Sequence, residues 1–185
     1  FEYASPYERF HPDPKKPVLF RLKKFGAAEP LLLSSRFTEF PLTDSARGLD
    51  LFSGKWVPLD QADLAIYFTR DPQRTQGRAN WQVTLRVQKG GLCEYQDRLQ
   101  FEAPESGYES ELTYRMQADD PQFSFELNKL FFIRLRDGAS YGRIEIKLIG
   151  LWNDRSAVDM KSWVNERGSR NLEFDPKLQP LPQRW

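Results

Sequence analysis

LFFIRLRDGASYGRIEIKLIGLW, residues 130 to 152, alternates apolar and charged side chains on either side of a turn built from small residues. Phe131, Ile133 and Leu135 fall on one face, with Phe132, Arg134 and Arg136 on the other. After Asp137-Gly138-Ala139-Ser140-Tyr141-Gly142 the pattern resumes, with Ile144, Ile146 and Leu148 set against Arg143, Glu145 and Lys147. Successive side chains of a strand point to opposite faces, so this period of two reads as a half-buried β-hairpin. Its inward face is predicted to be Phe131, Ile133, Leu135, Ile144, Ile146 and Leu148. Its outward face mixes both signs of charge, as a solvated or protein-facing sheet does and a phosphate track does not.

The same signature recurs on both sides of this stretch. Val18, Phe20 and Leu22 alternate with polar neighbours, and Leu31 to Arg36 follows the break at Phe25-Gly26. Asp50 to Phe52 and Trp56 to Leu59 flank Ser53-Gly54-Lys55, a tight-turn signal, and Leu64, Ile66 and Phe68 form the next alternating set. Trp81, Val83, Leu85 and Val87 point one way along a further strand; Gly90-Gly91 then leads to Leu92 to Gln96, expected to be its antiparallel partner. Leu112, Tyr114 and Met116 make one more set. Helix signals are few: Ser124 to Lys129 is compatible with a short helical turn, and Ala157 to Glu166 fits helix or strand equally. Short strands with turn signals about every 8 to 12 residues, without amphipathic helices between them, predict an all-β fold. The expected architecture is an antiparallel β-sandwich, immunoglobulin-like or jelly-roll-like, with closure into a barrel left open.

Proline marks the two ends. Pro6, Pro12, Pro14 and Pro17 break any period in residues 1–17, which read as an extended arm, while Phe1, Tyr3, Tyr7 and Phe10 give that arm rings with which to dock. Pro176, Pro180 and Pro182 make residues 175–185 an extended tail. Residues 18–174 are left as the sandwich domain. A chain of 185 residues buries roughly 70% of its unfolded surface on folding, so its core needs no disulfide. With one cysteine, Cys93, neither an internal disulfide nor a Cys-x-x-Cys pair can form.

Charge is balanced, 27 Lys and Arg against 26 Asp and Glu, so no net field draws the chain to nucleic acid or to an acidic membrane. No run approaches the roughly 18 apolar residues that span a bilayer as a helix. Catalytic signals are equally sparse. The one histidine, His11, lies in the proline-rich arm and has no fixed nucleophile to serve, and Cys93 lacks an imidazole partner. Asp119-Asp120 and Asn153, Asp154 and Asp159 match no calcium-loop spacing and read as turn formers. Glu109 and Glu111, a carboxylate pair on a polar strand face, are the only glycosidase-like arrangement singled out. The expectation is a chain without catalytic, cofactor-binding or metal-ligating residues.

Aromatic residues are the better functional material, at 14% with five tryptophans. Trp81 is in phase with Val83 and belongs to the core. Trp56, Trp152, Trp163 and Trp185 fall at strand ends or in loops, and Trp152 and Trp163 are the candidate binding residues, since exposed rings stack on sugars or anchor protein interfaces.

Four segments carry a resemblance: PVLFRLKKFGAAEPLL (17–32), FEAPESGY (101–108), YGRIEI (141–146) and GSRNLEFDP (168–176). In these the chain resembles a group of uncharacterised bacterial envelope lipoproteins. The resemblance implies a small secreted domain in the periplasm or at the cell surface, held through a lipidated cysteine upstream with the proline-rich arm as spacer. The start at Phe1 rather than Met is read as the result of upstream removal, with a signal peptide as one candidate. The functional expectation is a non-enzymatic extracytoplasmic binding or structural accessory module, with other envelope proteins as partners and no nucleic acid. The alternative is a carbohydrate-binding sandwich that uses loop tryptophans.

Overall fold

The computed structural model describes residues 26, 28–41, 45–71, 73, 77–152 and 155–178. The expected arm over 1–17, the Val18 to Leu22 strand and His11 lie outside the described residues, as do Asn153, Asp154 and Trp185. Ten strands follow in chain order: β1 (Leu32–Phe40), β2 (Ser45–Asp50), β3 (Lys55–Val57), β4 (Leu64–Arg70), β5 (Trp81–Val87), β6 (Gly91–Tyr95), β7 (Glu111–Met116), β8 (Glu126–Leu135), β9 (Ser140–Trp152) and β10 (Arg155–Asn165). They form two antiparallel five-stranded sheets, ordered β1-β10-β9-β8-β6 and β3-β2-β4-β5-β7. The architecture is a sandwich and not a closed barrel.

The hairpin at 130–152 is β8 and β9, in register from Leu135↔Ser140 to Glu126↔Ile149. Arg136 (φ 51°) and Asp137 (φ 59°) turn the chain in the left-handed region, and Gly138 (φ 90°) completes the reversal. All six predicted inward residues are at most 3% exposed and join one core with Leu64, Ile66, Phe68, Trp81, Val83, Leu85 and Val87 of the facing sheet. The indole of Trp81 stacks on Phe68 at 5.8 Å and donates to the Ser124 carbonyl at 3.1 Å. Gly150 of β9 makes room for that ring, because a Cβ there would stand 2.5 Å from it.

Three local expectations resolve against this frame. Residues 157–165 are strand, with Glu166 in the turn that follows: β10 pairs with β9 on one side and β1 on the other, so two ladders outweigh any helical tendency. The helical turn expected over Ser124 to Lys129 does not form, because from Glu126 onward the segment pairs with Glu145 to Ile149 of β9. The expected hairpin between Trp81–Val87 and Leu92–Gln96 is also corrected. Strand β5 pairs with β4 and β7, whereas β6 crosses to the other sheet and pairs with β8. Gly90-Gly91 serves close approach here. A Cβ on Gly90 would lie 1.8 Å from the Arg134 carbonyl oxygen, and one on Gly91 would lie 2.8 Å from that of Glu109.

Candidate functional site

Directly opposed residues of an antiparallel ladder share a face, so register alone lays out the outer surface of the β1-β10-β9-β8-β6 sheet. One row runs Trp163, Arg143, Phe132, Cys93 across β10, β9, β8 and β6. The next runs Lys161, Glu145, Leu130, Tyr95, and the third Asp159, Lys147, Asn128. The alternation assigns the outward residues of the 130–152 hairpin to a solvated or protein-facing surface. The structure corrects that for the first row: Phe132 is fully buried, Arg143 is 6% exposed and Trp163 8%.

The cover comes from two remote segments that pair with each other. Ala103 donates its amide to the Arg170 carbonyl at 2.9 Å, Leu172 donates to Phe101 at 2.8 Å, and Glu102 bridges Asn171. Together they bury Leu31, Tyr95, Ala103, Phe132, Trp163 and Leu172 in a second, smaller core on the outer face. Two carboxylates fasten the edge of this cover. The two carboxylate oxygens of Glu173 share the single Gly26 N–H, at 2.7 and 2.9 Å, while Glu29 accepts from Ser169 Oγ at 2.6 Å and Asn165 Nδ2 at 3.0 Å.

The hydrogen bonds from Ser169 and Asn165 hold the Glu29 carboxyl below its ordinary value of 4.5. A carboxylate depressed on folding stabilises above its unfolded pKa, and that stabilisation is lost as pH falls through the folded value. Acidification below about pH 4.5 is therefore expected to loosen the cover before the main core opens. Amide exchange of Leu172 and Ala103 between pH 3 and 6 measures this. In Glu29→Gln the acid-dependent component should vanish; an unchanged profile would remove Glu29 from its role as a fastener.

Under the cover Arg143 occupies an aromatic slot. Its guanidinium carbon lies 4.2 Å from the centroid of the Trp163 ring and 4.9 Å from that of Phe101, and Trp163 meets Phe174 edge-on at 6.3 Å. Desolvated cation–π contacts contribute about 2 kcal/mol, while removing a cation from water costs several kcal/mol. No salt bridge closes that gap among the described residues: Glu145 acts on Arg143 only at longer range, and Nε is buried without an acceptor. Burial pushes the Arg143 pKa down. Among the described residues Trp163 Nε1 is likewise buried without an acceptor, as is the hydroxyl of Tyr95, which lies beside the Arg143 guanidinium. Tyr95 stacks on Phe132 at 4.2 Å, and burial raises its pKa against the pull of the neighbouring Arg143 charge.

Beyond the cover the second and third rows stay open as a groove of about 500 Å³, lined by Tyr95, Leu130, Glu145, Lys147, Asp159 and Lys161, with Gln96 and Arg98 among the remaining lining residues. Charges alternate along and across its floor. Lys147 pairs with Glu126 at 2.6 Å, and at the rim Lys129 pairs with Glu94 at 2.7 Å. Burial works against the charge on Glu94, yet Lys129 and the Tyr114 hydroxyl, which donates at 2.6 Å, bring its pKa below the ordinary value.

The residues singled out from sequence fall elsewhere or are occupied. The Trp163 ring, enclosed by Arg143 and Phe174, has no open face for a sugar. The backbone of Trp152 ends β9 opposite Arg155, and its side chain lies outside what the structure describes. Glu111 is held by Arg86 at 2.6 Å, while Glu109 pairs through its backbone with Leu92. Asp120 accepts the Gln122 amide as a turn former, and burial raises the Cys93 thiol, the opposite of activation. Sequence reasoning placed Arg143 only on the outward face of its strand and did not single out Tyr95, because nothing local to either residue announces the cover that remote segments lay over them. Comparison with known proteins found no matching family model, no matching curated protein and no matching solved structure.

Proposed function

We propose that this chain is a non-enzymatic, extracytoplasmic binding or structural accessory module that works within a larger assembly of envelope proteins. The observation that supports it best is the outer sheet face, half covered by the chain itself and half open as a groove with alternating charges. Alternating rows such as Lys161–Glu145 and Asp159–Lys147 suit a polypeptide partner, which carries both signs, better than a polyanion. Placement outside the cytoplasm rests on the lipoprotein-like segments 17–32, 101–108, 141–146 and 168–176.

Photo-crosslinking in the native cell tests the reading. A crosslinker at Lys161, on the groove floor, should yield one discrete adduct with another envelope protein, and the same group at Arg115, on the outer face of the other sheet, should not. Recovery of free monomer alone from both positions would overturn the proposal.

A further inference from the structure

We propose that Arg143 anchors a carboxylate-binding site at the covered end of the groove, and that it takes an acidic side chain or chain terminus of a polypeptide partner. This deepens the binding-module reading and rests on it.

Three observations converge. First, Arg143 is a cation only 6% exposed, with Nε buried and without an acceptor, and with no carboxylate in a salt bridge with it among the described residues. Buried charges are ordinarily paired, and a guanidinium left without a carboxylate has its strongest interaction still to make. Second, the rings of Phe101 and Trp163 stand 4.9 and 4.2 Å from its guanidinium carbon, and a guanidinium stacked on rings recognises ligands through its planar edge, which matches a carboxylate in a two-pronged fit. Third, the electrostatic neighbours of Arg143 are Tyr95 and Glu145, which both line the groove. The anchor therefore lies next to the groove end, where the buried Tyr95 hydroxyl is a second donor without an acceptor among the described residues.

The same neighbours select among anions. Glu145 and Asp159 oppose the double charge of a phosphate, whereas a single carboxylate meets Arg143 and Tyr95 first. Lys161 and Lys147 on the floor, alternating with those acids, then suit a chain that continues with both signs.

The test follows the Arg143 Nε–Hε signal of the whole chain by ¹⁵N NMR during titration with three short peptides. One carries an internal Glu and an amidated end, one a free C-terminal carboxylate, and one Gln with an amidated end; inorganic phosphate is the fourth titrant. A saturable shift with either carboxylate peptide at a Kd of about 1 mM is expected, with the Gln peptide silent. The first two peptides tell a side chain from a terminus. Arg143→Lys, which keeps the charge and loses the planar edge, should weaken binding about tenfold. Tyr95→Phe keeps the ring on Phe132, removes only the hydroxyl, and should weaken it several-fold, so the test survives a poorly folded Arg143 variant.

No shift up to roughly 50 mM peptide, an equal response to the Gln peptide, or a response to phosphate alone overturns the site. If Lys161 still crosslinks a partner while Arg143 stays silent, this site fails and the accessory reading stands; the reverse result separates them the other way.

Discussion

Replacing Trp81 with alanine is expected to destabilise the chain by about 3–5 kcal/mol, the range for deleting a buried large aromatic side chain. The indole is 3% exposed, stacks on Phe68 and sits directly against the Gly150 backbone of the opposite sheet. Its removal therefore opens a cavity between two paired sheets that cannot collapse independently. With an m-value of about 2 kcal/mol/M, the urea midpoint should fall by roughly 2 M. Trp81→Phe keeps most of the ring and loses the hydrogen bond to Ser124, so its cost should be well below that of alanine. A loss under about 1 kcal/mol for Trp81→Ala would mean that the sheets pack differently at this position.

Gly90→Ala carries the second large effect, by the opposite mechanism. A Cβ 1.8 Å from the Arg134 carbonyl oxygen is sterically excluded, and the obstructing atom is backbone of β8, which cannot rotate away. Either β6 leaves β8 or the β8–β9 hairpin shifts, at a cost of about 3 kcal/mol or more. Hydrogen exchange should show lost protection along the β6–β8 ladder, at Cys93 and Phe132, which are paired in the native register. Gly77→Ala is the control: Gly77 has a left-handed φ of 77° with nothing within 4 Å, so it carries the conformational strain alone. Comparable losses at the two positions would show that close approach is not what Gly90 provides.

The contrast between these positions explains which parts of the fold were legible. Phe131, Ile133 and Leu135, Ile144, Ile146 and Leu148, and Trp81 to Val87 declare themselves through period two, because burial of one face is a property of each strand by itself. Gly90-Gly91 does not declare its partner. A glycine pair permits either a tight reversal or a close crossing, and the choice depends on β8, which lies some 40 positions further along the chain. Arg143 fails for a related reason. Its alternation with Ile144 places it outward correctly, but outward became covered once Phe101 and Leu172 were delivered from segments on either side of it in sequence.

The candidate site was accordingly less visible than the fold. Trp152 and Trp163 were singled out as large rings near strand ends, yet Trp163 is a wall of the Arg143 slot and turned away from solvent. Aromatic residues report on burial and on recognition with the same letters, and only the neighbours of each ring separate the two.

Taken alone, the amino-acid sequence determined the all-β class, the inward faces of the principal strands and the balance of charge, because each follows from local alternation or from composition. Tertiary structure alone decided which strands share a sheet, which outward residues lie under a cover and where a cation is buried without a counter-ion among the described residues. Those properties depend on register and on contacts between remote segments, and neither is written in the period of any one strand.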